Sequence, residues 1–345
     1  MKTSTSNLIF FLAPNFLGFL LFTLGPVLGS FLLSFYAWDL FTPARFVGGA
    51  NYAELLRVDF CAGIFSVFFF LLLLGSGALL AARLRSSRWL FYTSALLLLS
   101  AAALVITQGI PWNPKFWQSI WNTFILLLGL PLGMIGSLLL ASLLNEKIFG
   151  NQFFRLIYFL PSIVGGVGIY LLWKWIFNPD IGPINLLLRH IFGLQGPAWF
   201  ESSSWAKPAM ILMNFWGQVG GTNMILYLAA LQSVDPGLHE AAKIDGANGI
   251  QRFRHITLPM VSSTSFFILV MGLIHGFQGG FDSAFVITRG GPAGATTTVN
   301  YFIYETAFQH FEMGLASAAS MLLFVMVLGL SWVNWKCVSG KVHYT

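Results

Sequence analysis

The chain has 345 residues, of which 57% are hydrophobic, 16% aromatic and only 9% charged, with a formal net charge of +6 and a mean hydropathy of +0.76. Roughly a quarter of the residues in soluble proteins are charged, so an ordinary soluble enzyme or binding domain is excluded. No basic patch interleaved with aromatics stands outside the apolar stretches, which excludes a nucleic-acid partner.

Stretches free of Asp, Glu, Lys and Arg are the informative unit, because a spanning helix needs about 20 mostly apolar residues. Eight reach 18 residues or more: 3–38, 60–82, 89–114, 116–145, 156–173, 208–234, 255–281 and 313–335. Backbone groups in lipid must be satisfied within their own segment, so these runs predict helices. The alternating pattern of a membrane barrel is absent. The expected fold is all-α: a polytopic integral membrane protein of about eight transmembrane helices, one transmembrane domain over 1–345.

The first run is too long for a signal peptide and lacks a small-residue cleavage site, so it reads as a span. The second and third flank the basic turn "RLRSSR". With both termini in the cytoplasm, the inner segments hold eleven Lys and Arg against seven outside, as the positive-inside rule requires. The excess positive charge therefore reflects topology. Cys61 and Cys337 fall on opposite sides and cannot pair, and no Cys/His spacing suits a metal.

After the fifth run, residues 178–207 are rich in Gly, Pro and Trp and predict a folded outer cap with interfacial aromatics. The sixth run carries Asn214, Gln218 and Thr222 at i, i+4 and i+8. The seventh carries His275, Gln278 and Asp282 at i, i+3 and i+7, with Phe277 and Phe281 between them as stacking surface. Polar residues inside spans are costly, so these six are candidates for a substrate pathway, with the two phenylalanines beside them making eight. The alternative is packing glue between helices. Gly75, Gly77, Gly165, Gly166 and Gly168 are expected to allow close helix packing.

Between the sixth and seventh runs lies the polar segment 232–259, expected on the cytoplasmic side. Asp235 predicts a helix cap, with Pro236 in the first turn and Glu240 near the positive end of the dipole. Gly246 predicts a left-handed stop. A second helix is expected over Asn248–Thr257, and Ala241, Ala242 and Ala247 leave a slim knob that can seat in a groove. The bland reading is a mere connection between spans.

The residues "EAAKIDGANGIQRFRHITLP" decide between these readings, because they resemble the EAA loop of binding-protein-dependent ABC importer permeases, E-A-A-x-x-D-G-A-x(9)-I-x-L-P. Glu240, Ala241, Ala242, Asp245, Gly246, Ala247, Ile256, Leu258 and Pro259 match. The flanks "FWQSIWNTF", "LLWKWIFNPDIGPIN" and "TRGGPAGATTTVNYFIYETAF" resemble the carbohydrate-type permeases, similar to the maltose and sn-glycerol-3-phosphate systems. Residues 60–113 depart from the usual six-span pattern and read as an inserted two-span hairpin.

The resemblance implies one of two permease subunits in a bacterial or archaeal inner membrane. The second permease would be a different chain. Two P-loop ATPase subunits would each receive one EAA loop, and an extracytoplasmic solute-binding protein would deliver a carbohydrate or related polyol or glycoside. Glu240 and Gly246 would carry the coupling. The segment just before the T-x-G-G-P turn, about Phe277–Asp282, would contact sugar. No phosphate-loop motif occurs, so no cofactor is expected on this chain, with ATP-Mg held by the partner ATPase, and the chain is expected to be non-catalytic. The rival class is an ion-coupled secondary transporter of a small polar solute, which would rely on Asp282 and His275 and lacks an internal repeat of spans.

Overall fold

The computed structural model describes residues 5–56, 115–146, 149–163 and 165–338. The expected hairpin over 60–113, with Cys61, Gly75 and Gly77, lies outside the described residues. The described chain is helical apart from one two-stranded ribbon. It divides into two compact units, one drawn from residues 1–57 and 302–326, the other from 58–301 and 327–345.

In the first unit, α1 (Thr5–Phe19) passes through a π-helical turn at Leu20–Leu24 into α2 (Gly25–Leu33). The run ends where β1 (Tyr36–Ala37) pairs antiparallel with β2 (Arg45–Phe46). Between them the Asp39 carboxylate accepts from the Thr42 amide at 2.8 Å and from its hydroxyl at 2.8 Å, which holds its pKa below the usual carboxylate range. Asn51, on α3 (Ala50–Leu55), is buried and donates to the Ser34 and Tyr36 carbonyls at 2.8 and 3.0 Å. Those carbonyls lie past the helix end and would otherwise have no partner. The Met313 amide donates to the Trp38 carbonyl at 2.9 Å, which closes the unit onto the later helix.

The second unit holds α4 (Lys115–Leu127), α5 (Gly129–Asn145), α6 (Asn151–Ile163), α7 (Val167–Ile176), α8 (Pro183–Phe192), α9 (Ala206–Val219) and α10 (Gly221–Gln232). After these come α11 (Pro236–Ile244), α12 (Gly249–Arg252), α13 (Leu258–Met260) and α14 (Ser262–Ser283). The chain finishes with α15 (Val299–Tyr304) and α16 (Met313–Val338). Apolar side chains gain little from leaving lipid, so close packing must supply the cohesion. Along α5, Gly129, Gly133 and Gly136 let the backbone settle onto Asn214, Gln218 and Val219 of α9; a Cβ at Gly136 would lie 2.7 Å from Val219 Cγ2. Leu138, Ala141 and Leu144 then pack on Met224, Tyr227 and Leu228 of α10.

Among the described residues, four helical stretches are long and apolar enough to span: Phe10–Leu33, Lys115–Asn145, Ser262–Thr288 and Met313–Lys336. The continuous helices expected over 156–173 and 208–234 are each broken at glycine. Gly166 adopts φ +72°, separating α6 from α7. Gly220 and Gly221 separate α9 from α10; Gly221 takes φ +62°, and Gly220 lies directly on the Tyr158 carbonyl, where a side chain would collide. Gly165, Gly166 and Gly168 do not form a close-packing row among the described residues, since an added Cβ at any of them meets none of these within 4 Å. That role falls to the row on α5.

Candidate functional site

The segment 232–259 folds locally. The Asp235 carboxylate caps α11 by accepting from the Gly237 amide at 2.9 Å, with Pro236 at the first position. Glu240 is the fifth helical residue, in the second turn and away from the positive end of the dipole. The helix stops because Gly246 takes φ +79°, which lets the Ala247 amide reach back to the Ala242 carbonyl at 2.9 Å. Asn248 then forms a reciprocal capping box with Gln251, both bonds 2.8 Å. From there α12 runs through a π-helical turn, Phe253–Thr257, into α13.

This segment displays what a docking knob needs. Glu240, Lys243 and Asp245 are exposed, and so are Ile244 at 87% and Ile250 at 79%. Neither isoleucine stands out in the motif. The signal that could have found them is an isolated large apolar residue in an otherwise polar stretch.

The second feature is a partly open cavity of about 180 Å³ between α4, α5, α7, α9 and α14. Leu126, Leu127 and Leu130 supply one apolar wall, and Tyr170, Asn214, Gln218 and His275 supply polar groups. The Gln218 carbonyl oxygen accepts from Asn223 Nδ2 at 2.5 Å, across the break between α9 and α10. That bond uses the oxygen, and the NH2 group of Gln218 has no partner among the described residues, so it can donate to an occupant. His275 Nδ1 lies 2.9 Å from the Met271 carbonyl, which can only accept, so Nδ1 carries a proton in this contact. Amide, hydroxyl and imidazole groups thus line the cavity beside an apolar wall, the arrangement that suits a hydroxylated ligand.

The floor is Gly272, Gly276, Gly279, Gly280 and Ser283 of α14. Three of these glycines are fixed by packing: a Cβ would strike Leu130 from Gly272, Leu127 from Gly276 and Thr298 from Gly280. Gly279 alone of the four would meet nothing within 4 Å.

Of the eight candidate pathway residues, the structure brings Asn214, Gln218 and His275 together at the cavity. The other five do not line it. Thr222 lies beyond the break in the sixth run, out of phase with Asn214 and Gln218. Gln278 and Asp282 are exposed one column round the helix from the glycine floor. Phe277 is 1% exposed and meets Phe124 edge-on at 5.3 Å. Phe281 stacks on Phe285 at 5.3 Å.

A buried polar knot beside the cavity went unread in the sequence. Asn122 donates to the Gly294 and Thr297 carbonyls at 2.8 and 3.0 Å, and the Val299 amide donates to the Thr123 hydroxyl at 3.1 Å. Thr298 donates to the Gly280 carbonyl at 3.0 Å, and Asn300 to the Phe277 carbonyl at 2.8 Å. These bonds tie the loop after α14 to α4 and fix the cavity floor. The readable signal is the polar triplet in "ATTTVN", unusual in so apolar a chain.

With this geometry in hand, comparison with known proteins is informative. The chain is 31% identical over 338 residues to the probable ABC transporter permease protein YesP of Bacillus subtilis, covering 97% of this chain and 91% of that one. It is 35% identical over 235 residues to the sn-glycerol-3-phosphate transport system permease protein UgpA of Pectobacterium atrosepticum, covering 67% and 78%. Among solved structures, it resembles a bacterial ABC transporter involved in the import of the acidic polysaccharide alginate. The TM-score is 0.59 with 27% identity, over 71% of this chain and 93% of that one. Residues 129–335 match the family described as the inner membrane component of binding-protein-dependent transport systems. The breaks at Gly166 and Gly220–Gly221, the knob at 232–259 and all of the cavity lining except Thr123, Leu126 and Leu127 fall inside that match, and the chain belongs to this family of multi-pass inner-membrane ABC transporter permeases.

Proposed function

We propose that this chain forms half of the pathway of an ATP-driven importer for a neutral carbohydrate or a related polyol or glycoside. The observation that carries the reading is the cavity lining: amide, hydroxyl and imidazole groups beside leucines, with no Lys, Arg, Asp or Glu among its lining residues. The relatives named for glycerol-3-phosphate and alginate act on anions, which a cavity without a fixed cation would hold poorly. In this reading a second, different permease completes the pathway, and two P-loop ATPases bind ATP-Mg and receive the 232–259 segment through Glu240, Ala241, Ala242, Asp245, Gly246 and Ala247. The termini face the cytoplasm. A solute-binding protein on the other side delivers the ligand, a partner supported by the complex of the alginate transporter with its ligand-bound periplasmic protein. The chain itself performs no catalysis and holds no cofactor.

The test is reconstitution of the chain with its co-encoded partners in proteoliposomes. Uptake of a neutral sugar that needs ATP inside, needs the binding protein and persists with an ionophore present supports the reading. Uptake that collapses with the ion gradient and ignores ATP points to a secondary transporter instead. Preference for an anionic solute would overturn the neutral-ligand assignment.

A further inference from the structure

At the opposite end of α9–α10 from the 232–259 segment, α8 presents an apolar face that nothing among the described residues covers. Its ten residues span only about 15 Å, too short to cross a bilayer. Gly193, at φ +65°, ends it, with the Leu194 amide reaching back to the Leu188 carbonyl at 3.2 Å.

The helix is held rigidly. Asn185 is 1% exposed; its Nδ2 donates to the Pro179 and Pro197 carbonyls at 3.0 and 3.1 Å, and its Oδ1 accepts from Trp199 Nε1 at 2.7 Å. Ile184 packs on the cluster of Trp173, Phe177 and Met213. That occupies one half of the apolar arc. The other half, Leu187 and Ile191 one turn apart, is 56% and 65% exposed, and the helix cannot roll to hide it without breaking the Asn185 bonds.

We infer that Pro183–Phe192 is an interfacial helix whose Leu187–Ile191 face is buried in the lipid leaflet opposite the 232–259 segment. Three observations select lipid as the occupant. Trp175 and Trp205, at the neighbouring ends of α7 and α9, are each about half exposed, as expected of tryptophans at headgroup level. The exposed Leu171 and Leu172 of α7 continue the bilayer-facing surface up to the turn that leads into α8. The exposed Arg189 sits on the far side of α8 from Leu187 and Ile191, and Lys174 is exposed in the last turn of α7, so cations flank the apolar face where lipid phosphates lie.

The experiment uses the full chain with its transporter partners in nanodiscs containing doxyl-labelled lipid, bearing Leu187→Cys or Arg189→Cys and an environment-sensitive fluorophore. The label at 187 should be quenched by the lipid and react with a membrane-impermeant maleimide about tenfold more slowly than that at 189. Should Leu187→Cys fail to accumulate, Ile191→Cys reads the same face. Equal water access at both positions would overturn the inference. So would protection of position 187 only when the solute-binding protein is added, which would make the face a protein-docking surface.

Discussion

The 232–259 segment and the cavity floor on α14 are neighbours in the chain and are built in opposite ways. In the segment the caps and the stop are local: Asp235 caps two residues ahead, Gly246 stops the helix it follows, and Asn248 pairs with Gln251. On the floor almost nothing is local. Gly272, Gly276 and Gly280 are small because Leu130, Leu127 and Thr298 stand against them, and Asn300 reaches back more than twenty residues to hold a carbonyl of the floor in place. A surface that must dock elsewhere can be self-contained. A cavity exists only through the elements that enclose it.

This contrast can be broken by substitution, and the largest effect is expected on the floor. Gly276→Val drives a side chain into Leu127, and overpacking of this kind costs about 1–3 kcal/mol. Uptake should be lost together with a fall in the thermal midpoint of the purified chain; wild-type stability would mean that α4 and α14 are not packed as described.

Glu240→Ala should come next and act differently. The exposed carboxylate supports nothing internal, so the chain should accumulate and melt as wild type, within about 0.5 kcal/mol. Transport and ligand-stimulated ATP hydrolysis in the assembled complex should nevertheless be lost. A stable variant with unaltered uptake would remove Glu240 from the coupling role.

Gly246→Val should be intermediate, because a left-handed backbone costs about 1–2 kcal/mol in a residue bearing a Cβ. Loosening of the segment, read as faster proteolysis between α11 and α12, should accompany partial loss of ATPase association. A proteolysis pattern matching wild type would show that the turn tolerates the side chain.

The smallest effect separates the two kinds of floor glycine. Gly279→Ala adds a methyl group that touches none of the described residues, so stability should hold within about 0.5 kcal/mol. Uptake of a bulky ligand should fall more than that of a small one, measured as competing rates in one proteoliposome preparation. Equal rates for both would place the ligand elsewhere.

The amino-acid sequence by itself determined the membrane class, four of the spans, the cap at Asp235 and the stop at Gly246. These rest on hydropathy over a window or on contacts within one helical turn, and neither needs a partner element. It also contained the family motif, because a docking segment keeps its shape without help from the rest of the chain. Only the tertiary structure decided which face of α14 lines the cavity. Polar spacing points to His275, Gln278 and Asp282, yet the lining column runs through Gly272, Gly276 and Gly279, and only His275 is shared. It also decided which glycines break a helix and which admit a neighbour. Gly166 and Gly133 are the same residue in similarly apolar runs; the first turns the backbone where no described residue would meet a side chain, whereas the second receives Gln218. That distinction depends on what another helix places a few ångströms away, and no window along the chain contains it.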